Sequence, residues 1–283
     1  VIADLLQNAV IDPATLTAEL GAVSQEIKVR GLDLPQSWLA DFYPFNHPYG
    51  HHPIGFKEGV FACSADEVRA FYKKHYTPSN VTVIICGDIK PDEVFAYVGN
   101  ELASFSAAGD DQKEQRSAKT HPFYAGLFST SKTIYHPHNY RVYEYTWVGA
   151  PQGTIECAAL GYISTALARR LQKKMVDGSG WCTGVLVVHQ AFAYSGQFGI
   201  EIRPKEEFAA LDYEKMVADE IEDIASNGLT AQEFATTRYA LLDGLAQCLE
   251  NPSAFAMALA FSSPKSGDIF GAFCKSEELA GCV

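Results

Sequence analysis

Two acidic residues near the start of the chain, Glu19 and Glu26, have a spacing that could serve chemistry. The stretch that carries them, LTAELGAVSQEIKVR from Leu16 to Arg30, predicts an amphipathic helix. The two carboxylates stand seven positions apart, almost two helical turns, so they project from one side. Two negative charges on one side of a helix repel each other unless they face solvent or a cationic group. The pair is therefore either a solvated helix surface or part of a cation site.

The surrounding residues predict where this helix begins and which of its sides is buried. Asp12-Pro13 marks its start, because proline is tolerated in the first turn of a helix. Apolar residues recur at steps of three and four and predict one buried stripe: Leu16, Leu20, Val23 and Ile27.

Further elements follow the helix. The stretch from Leu32 predicts a short helix and then a long ordered loop, in which prolines and glycines recur up to Gly55. Ser64 and Glu67 predict a capping box at the next helix. Residues 81–89, VTVIICGDI, predict a buried β-strand, and a helix opens at Pro91.

Residues 106–120 contain no large apolar residue and predict a linker between domains at 1–105 and 121–283. The second domain is predicted to alternate strands with helices. Its strands are KTIYHPH, YRVYEYTWVGA, CTGVLVVHQAFA and GQFGIEIRP, and its helices span about 154–176, 211–226 and 229 onward.

A short repeat connects the two parts. Leu229-Thr-Ala-Gln-Glu matches Leu16-Thr-Ala-Glu at an offset of 229 − 16 = 213 residues, and each stretch goes with a long helix. The match is either a coincidence, or the chain holds the later part of one unit and the earlier part of a related unit. In the second copy the position of Glu26 falls near Tyr239 or Ala240, so only the first copy carries the acidic pair.

The composition limits the class of protein. A hydrophobic fraction of 47% and a charged fraction of 20% indicate a soluble globular protein. A net charge of -12 opposes a nucleic-acid partner, and no stretch is long and apolar enough for a membrane span. Seven scattered cysteines without a CxxC pair favour a reducing compartment such as the cytoplasm, with a bacterial periplasm or an organelle matrix as alternatives.

Several motifs occur in a fixed order between Glu19 and Val94. They are Glu19-x6-Glu26-Ile-Lys, His47-Pro-Tyr-Gly with Ile54-Gly55, the run DEVRAFYKKHYTPSN from Asp66, and Gly87-Asp88. Together they resemble the pitrilysin/insulinase family of zinc peptidases, which includes the mitochondrial processing peptidases. The resemblance continues more loosely from about residue 122.

The resemblance implies an inverted zinc motif, His-x-x-Glu-His, with two histidine ligands and a glutamate that activates water. It implies Glu26 as the third zinc ligand and Glu19 as a catalytic carboxylate that orients the site. The motif does not occur in these 283 residues. Counted back from Glu26, it would lie about 50 residues before Val1. We therefore expect either a piece of a longer peptidase, which binds zinc poorly alone, or a protein that never had the motif.

The resemblance also implies substrate-binding residues in the second domain. Lys174 and Trp181 occupy positions where many members have an Arg and a Tyr that hold the substrate backbone. Lysine lacks the planar fork of arginine, and tryptophan has an N–H donor but no hydroxyl. Lys174 is therefore a substrate contact or a surface charge, and Arg170 is expected to form a salt bridge or close a loop.

Two groups of histidines are weaker metal-site candidates. The spacing of His47, His51 and His52 matches no compact ligand pair, and the resemblance implies a structural loop there. His136 and His138 would point to opposite faces of a strand.

These observations predict an α+β fold of two related units, each a mostly antiparallel sheet with helices on one face. The first unit is expected to lack its N-terminal part and the second its C-terminal part. The resemblance implies a zinc-dependent endopeptidase of peptides or unfolded segments. The alternative is a non-catalytic partner or core subunit of a processing-peptidase-like complex. The implied partners are a peptide substrate and a related subunit in a homo- or heterodimer.

Overall fold

The computed structural model describes residues 1–29, 43, 49–50, 53–55, 57–105, 130–135, 141–192 and 195–261. The chain divides into two compact units, Val1–Lys119 and Thr120–Val283. The predicted linker at 106–120 lies outside the described residues, as does most of the stretch from Leu32 to Gly55. The histidine candidates also lie outside them: His47, His51, His52, His136 and His138.

The described part of the first unit is mostly helical. Its helices are α1 (Ile2–Asn8), α2 (Pro13–Val29), α3 (Lys57–Ala62), α4 (Ala65–His75) and α5 (Pro91–Glu101), with a 3-10 turn at Pro78–Asn80.

Side-chain caps explain where two of these helices begin. Asp12 Oδ1 accepts hydrogen bonds from the backbone N–H groups of Ala14 and Thr15, both at 2.9 Å, at the start of α2. At α4 the predicted capping box is confirmed. Glu67 N–H donates to Ser64 Oγ at 3.2 Å, and Ser64 N–H donates to Glu67 Oε2 at 2.8 Å.

The predicted buried strand at residues 81–89 is wrong. The stretch forms no strand, and the side chains of Val83, Ile85 and Ile89 are 43%, 44% and 41% exposed. A β-strand needs a neighbouring strand for its backbone N–H and C=O groups. The described residues of the first unit contain no strand that could pair with it. The β-rich composition alone therefore does not produce a strand here.

The second unit contains the sheet. Its strands are β1 (Thr130–Tyr135), β2 (Arg141–Gly149), β3 (Cys182–Ala191) and β4 (Gly196–Pro204), in the antiparallel order β1-β2-β4-β3. Its helices are α6 (Ile155–Leu171), α7 (Tyr213–Asn227), α8 (Ala231–Glu250) and α9 (Pro252–Phe261), with a π-helical segment at Gln172–Gly178 directly after α6. The α+β prediction is confirmed.

The core of the second unit lies between its sheet and its helices. Its buried residues include Leu167 and Leu171 of α6, Met175 of the π-helical segment, Ile200 and Ile202 of β4, and Tyr213 and Val217 of α7. None of the helices in the described ranges is long and apolar enough to cross a membrane. None of the five cysteines in those ranges is in a disulfide bond.

The repeated Leu-Thr-Ala motif has a different local structure in its two copies. Thr230 is the N-cap residue of α8, and its hydroxyl accepts the Glu233 N–H at 3.2 Å. Thr17 instead lies within α2, and its hydroxyl donates to the Pro13 carbonyl at 2.8 Å. The helical context is therefore not shared, and duplication stays a prediction without support from local structure.

A buried hydroxyl on α8 leads to a stability prediction. Thr237 is fully buried, and its Oγ1 has no hydrogen-bond partner among the described residues. Because valine has the same shape without the unpaired polar atom, Thr237→Val is expected to raise the free energy of unfolding by about 1 kcal/mol. Urea unfolding of the variant measures this. The control is Thr236→Val, where an exposed hydroxyl bonded to the Gln232 carbonyl at 2.7 Å is lost and no gain is expected.

Candidate functional site

The acidic pair lies on α2 as predicted. Along the predicted apolar stripe Ile27 is buried, and Leu16, Leu20 and Val23 are partly buried. Glu19 and Glu26 are both exposed. The helix thus buries its apolar side within the first unit and leaves the two carboxylates accessible.

A zinc site needs more ligands than this helix supplies. Structural and catalytic zinc sites use three or four protein ligands in tetrahedral geometry. Within the described ranges, no group of three or more His, Cys, Asp or Glu side chains is placed to hold a metal ion. The carboxylate of Glu26 suits zinc in type, but the described residues do not complete a site. Its role as a zinc ligand stays a prediction.

The predicted substrate-binding residues lie in and just after an irregular helical segment of the second unit. Lys174 lies in the π-helical segment, and its Nζ is 2.8 Å from Glu220 Oε1 on α7. The Lys174 side chain is 41% exposed. Trp181 follows the segment, is partly buried against the core, and accepts the Lys205 N–H at its carbonyl at 2.9 Å. Such π-helical turns are frequent at functional sites.

Next to this segment, Arg170 joins three helices. Its guanidinium donates to both carboxylate oxygens of Glu233 on α8, at 2.6 and 2.9 Å, and to Asp223 Oδ2 on α7 at 2.5 Å. Glu220 Oε2 lies 3.7 Å from the same guanidinium. The predicted salt bridge of Arg170 is confirmed. The bidentate pair is the strongest common geometry for an arginine and a carboxylate.

Glu233 serves two partners at once. Besides Arg170, its Oε2 accepts the backbone N–H and the hydroxyl of Thr230, both at 2.9 Å, in the capping box of α8. The hydrogen bond from Arg170 is the main cause that lowers the pKa of Glu233 to about 2, and Thr230 adds to it. The Glu233 bond in turn raises the pKa of Arg170 above its ordinary value.

This lowered pKa gives a testable pH dependence. An acid whose pKa is lower in the folded than in the unfolded state stabilises the fold above its unfolded value. For Glu233 the stabilisation is complete above an ordinary pKa of 4.5 and is lost as the pH falls toward about 2. We expect Glu233→Gln, which cannot titrate, to lose less stability over this range than the wild type. Urea midpoints across the range measure this, and parallel curves would contradict it.

The family model described as the peptidase M16 inactive domain matches residues 62–241, more than half of the chain. The chain belongs to the M16 family of pitrilysin/insulinase peptidases. An uncharacterised zinc protease of Streptomyces coelicolor is 26% identical over 255 residues, which cover 83% of this M16 chain and 52% of the relative. The chain thus spans about half the length of that relative.

Two further comparisons concern other bacterial proteases. The probable zinc protease PqqL of Escherichia coli is 24% identical over 208 residues, which cover 68% of this chain and 22% of PqqL. A crystal structure describes PqqL as a periplasmic protease. The crystal structure of a protease from Helicobacter pylori superposes with a TM-score of 0.73 at 17% identity, and covers 96% of this chain and 68% of that one. These likenesses establish the fold of an M16 peptidase.

The structure of this M16 chain adds residues that sequence reasoning missed. Glu220, Asp223 and Glu233 hold Arg170 and Lys174, yet they lie 46 to 63 residues away along the chain. Nothing in the sequence pairs them. One local signal was available, because Thr230-Ala-Gln-Glu233 has the spacing of a capping box.

Proposed function

We propose that this chain is part of a zinc-dependent endopeptidase of the M16 type, which cleaves peptides or unfolded segments. The observation that carries the proposal is the exposed pair Glu19 and Glu26, which share one side of α2 roughly 80° around the helix from its buried stripe. Two carboxylates on one accessible side suit a metal site, whereas a purely structural helix does not require them. The zinc protease names of the relatives support the same proposal.

Each half of the chain has its own part in this proposal. Glu26 offers one carboxylate ligand, and two histidines of a His-x-x-Glu-His segment elsewhere in the natural polypeptide supply the others. Zinc, when bound, lowers the pKa of water and polarises the peptide carbonyl. Glu19 orients the site through its neighbouring charge. For the location, a reducing compartment stays our prediction from the scattered cysteines of the sequence, with a periplasm like that of the related PqqL as the alternative.

In the second unit, Lys174 and Trp181 contact the peptide. The Lys174 ammonium donates to a substrate carbonyl, and Glu220 at 2.8 Å holds the flexible lysine side chain in place. A lysine acts as a point charge, so it needs such a partner more than an arginine with its rigid fork. The indole N–H of Trp181 is a second donor.

The decisive experiment measures zinc content and peptide hydrolysis of the natural polypeptide that contains this chain. We expect stoichiometric zinc in the wild type. We expect Glu26→Gln to lose zinc affinity and hydrolysis by at least about 100-fold, and Glu19→Gln to lose about 10- to 100-fold in hydrolysis. The control is Glu101→Gln, an exposed helical glutamate of the same unit, which should change neither.

The same measurement separates the proposal from its alternative. If the natural polypeptide binds no zinc and hydrolyses no peptide, the proposal fails. The chain would then be a non-catalytic subunit that assembles with a related protein. Gel filtration with a catalytic relative from the same organism would show that assembly.

A further inference from the structure

A cavity in the second unit lies apart from the residues considered so far. It encloses about 170 Å³ between the first turns of α6, strand β3 and helix α8. Small residues on the α6 side leave this space, namely Gly153, Ala158 and Gly161. Tyr162 and Leu241 provide apolar walls. No acidic residue lines the cavity.

Of the polar side chains that line the cavity, His189 and Arg238 decide which ligand it could bind. The Nε2 atom of His189 is buried and has no hydrogen-bond partner among the described residues. Burial lowers the pKa of His189, so its imidazole is neutral near pH 7. Arg238 on α8 is exposed, and no ion pair joins it to another residue of the described ranges. An uncommitted cation and an unsatisfied imidazole thus stand beside an apolar space.

The size of the cavity limits the ligand. An apolar cavity of about 150 Å³ in another protein holds one benzene molecule. The space here therefore suits a single branched or aromatic side chain. The Nδ1 atom of His189 lies toward this space, 3.8 Å from the position of a Cβ atom added at Gly161, so a ligand that bonds to it gains affinity. A carboxylate next to Arg238 gains a charge-assisted bond.

These requirements occur together in one common chemical group. The last residue of a peptide offers an apolar side chain, a terminal carboxylate and an amide N–H within a few bonds of one another. A simple fatty acid offers the carboxylate and the apolar part but no amide. The neutral His189 can accept an amide N–H, which distinguishes the two ligands.

We propose that this cavity binds the C-terminal residue of a peptide with a large apolar side chain, such as leucine. Arg238 pairs with the terminal carboxylate, His189 Nδ1 accepts the backbone amide N–H, and the α6 and α8 walls enclose the side chain. The inference extends the proposed peptidase function, because it makes the cavity an anchoring site for peptide ends.

The test uses three small probes on the intact protein, with a chelator present so that no cleavage occurs. N-acetyl-leucine carries all three groups, N-acetyl-leucinamide lacks the negative charge, and 4-methylpentanoate lacks the amide. Ligand-detected NMR titrations give their affinities. We expect N-acetyl-leucine to bind at least about 5-fold more tightly than either analogue.

Variants locate the binding. Arg238→Gln should bind N-acetyl-leucine no more tightly than N-acetyl-leucinamide. His189→Leu should bind N-acetyl-leucine no more tightly than 4-methylpentanoate. Gly161→Leu should fill the cavity and abolish binding of all three. Arg169→Gln, an exposed arginine of α6 that does not line the cavity, is the matched control and should bind as the wild type does.

Two outcomes overturn the inference. Absence of binding rejects the site, and equal affinity for N-acetyl-leucine and 4-methylpentanoate assigns the cavity to a small acid instead of a peptide. Because the binding needs neither zinc nor hydrolysis, its failure is distinct from failure of the proposed peptidase activity.

Discussion

Replacing Arg170 by methionine is expected to lower the free energy of unfolding of the second unit by about 2 to 3 kcal/mol. The guanidinium is only 17% exposed and is the shared partner of Glu233 and Asp223. Its removal leaves the Glu233 carboxylate, 28% exposed, without its main counterion. Methionine has a similar length and helix propensity to arginine. The decrease in the free energy of unfolding therefore measures the loss of the guanidinium charge and its bonds.

The neighbouring residue provides the control. Arg169 is an exposed arginine on the same helix, so Arg169→Met changes the net charge equally without touching the cluster. Hydrogen exchange of α6, α7 and α8 should show faster opening in Arg170→Met and not in Arg169→Met. Equal protection in the two variants would contradict the prediction.

A double variant distinguishes the ion pair from the helix cap. Glutamine at position 233 can keep the capping box, because it is also found at that position of the motif. Glu233→Gln therefore removes the charge and leaves the cap. Because Arg170 and Glu233 contact each other, we expect Arg170→Met with Glu233→Gln to destabilise less than the sum of the single changes.

Local signals in the sequence predicted much of the fold. The caps at Asp12 and Ser64 depend on side chains within three residues of the backbone groups they bind. The alternation in YRVYEYTWVGA predicted β2, which pairs with β1 and β4 along its length. Elements of this kind can be predicted because the residues that determine them are close together in the sequence. The α+β class followed from their order.

Long-range features could not be predicted in the same way. Residues 81–89 have strand composition, but whether they form a strand depends on a partner that composition does not specify. The bonds from Arg170 to Glu233 span 63 residues. They exist because the packing of α6 against α8 brings the two side chains together, and no local pattern contains that packing.

The candidate site shows the same division. The helical period placed Glu19 and Glu26 on one side of α2, and the structure exposes both. Their role still depends on ligands that the described residues do not contain. His189 and Arg238 meet at one cavity only because β3 and α8 both pack on α6. The sequence predicted which side chains share one side of a helix or strand. Only the tertiary structure shows which of these sides pack against each other.

The π-helical segment that carries Lys174 is expected to depend on a glycine at its end. A Cβ atom added at Gly178 would lie 2.8 Å from the Lys173 carbonyl oxygen, a backbone atom that cannot move aside alone. This turn has π-type bonding, since Ser179 N–H donates to the Lys174 carbonyl five residues back at 3.3 Å. Gly178→Ala must therefore shift the turn, at a cost of about 1 to 3 kcal/mol.

The shift should also alter function, because the same turn holds the Lys174 ammonium beside Glu220. We expect Gly178→Ala to reduce hydrolysis by the natural polypeptide and to weaken protection of the turn against hydrogen exchange. Gly244→Ala in α8 is the matched control, since its added Cβ meets nothing within 4 Å. Alanine there should stabilise the helix by up to about 1 kcal/mol and leave hydrolysis unchanged. If Gly178→Ala is as stable and active as Gly244→Ala, the turn does not position Lys174.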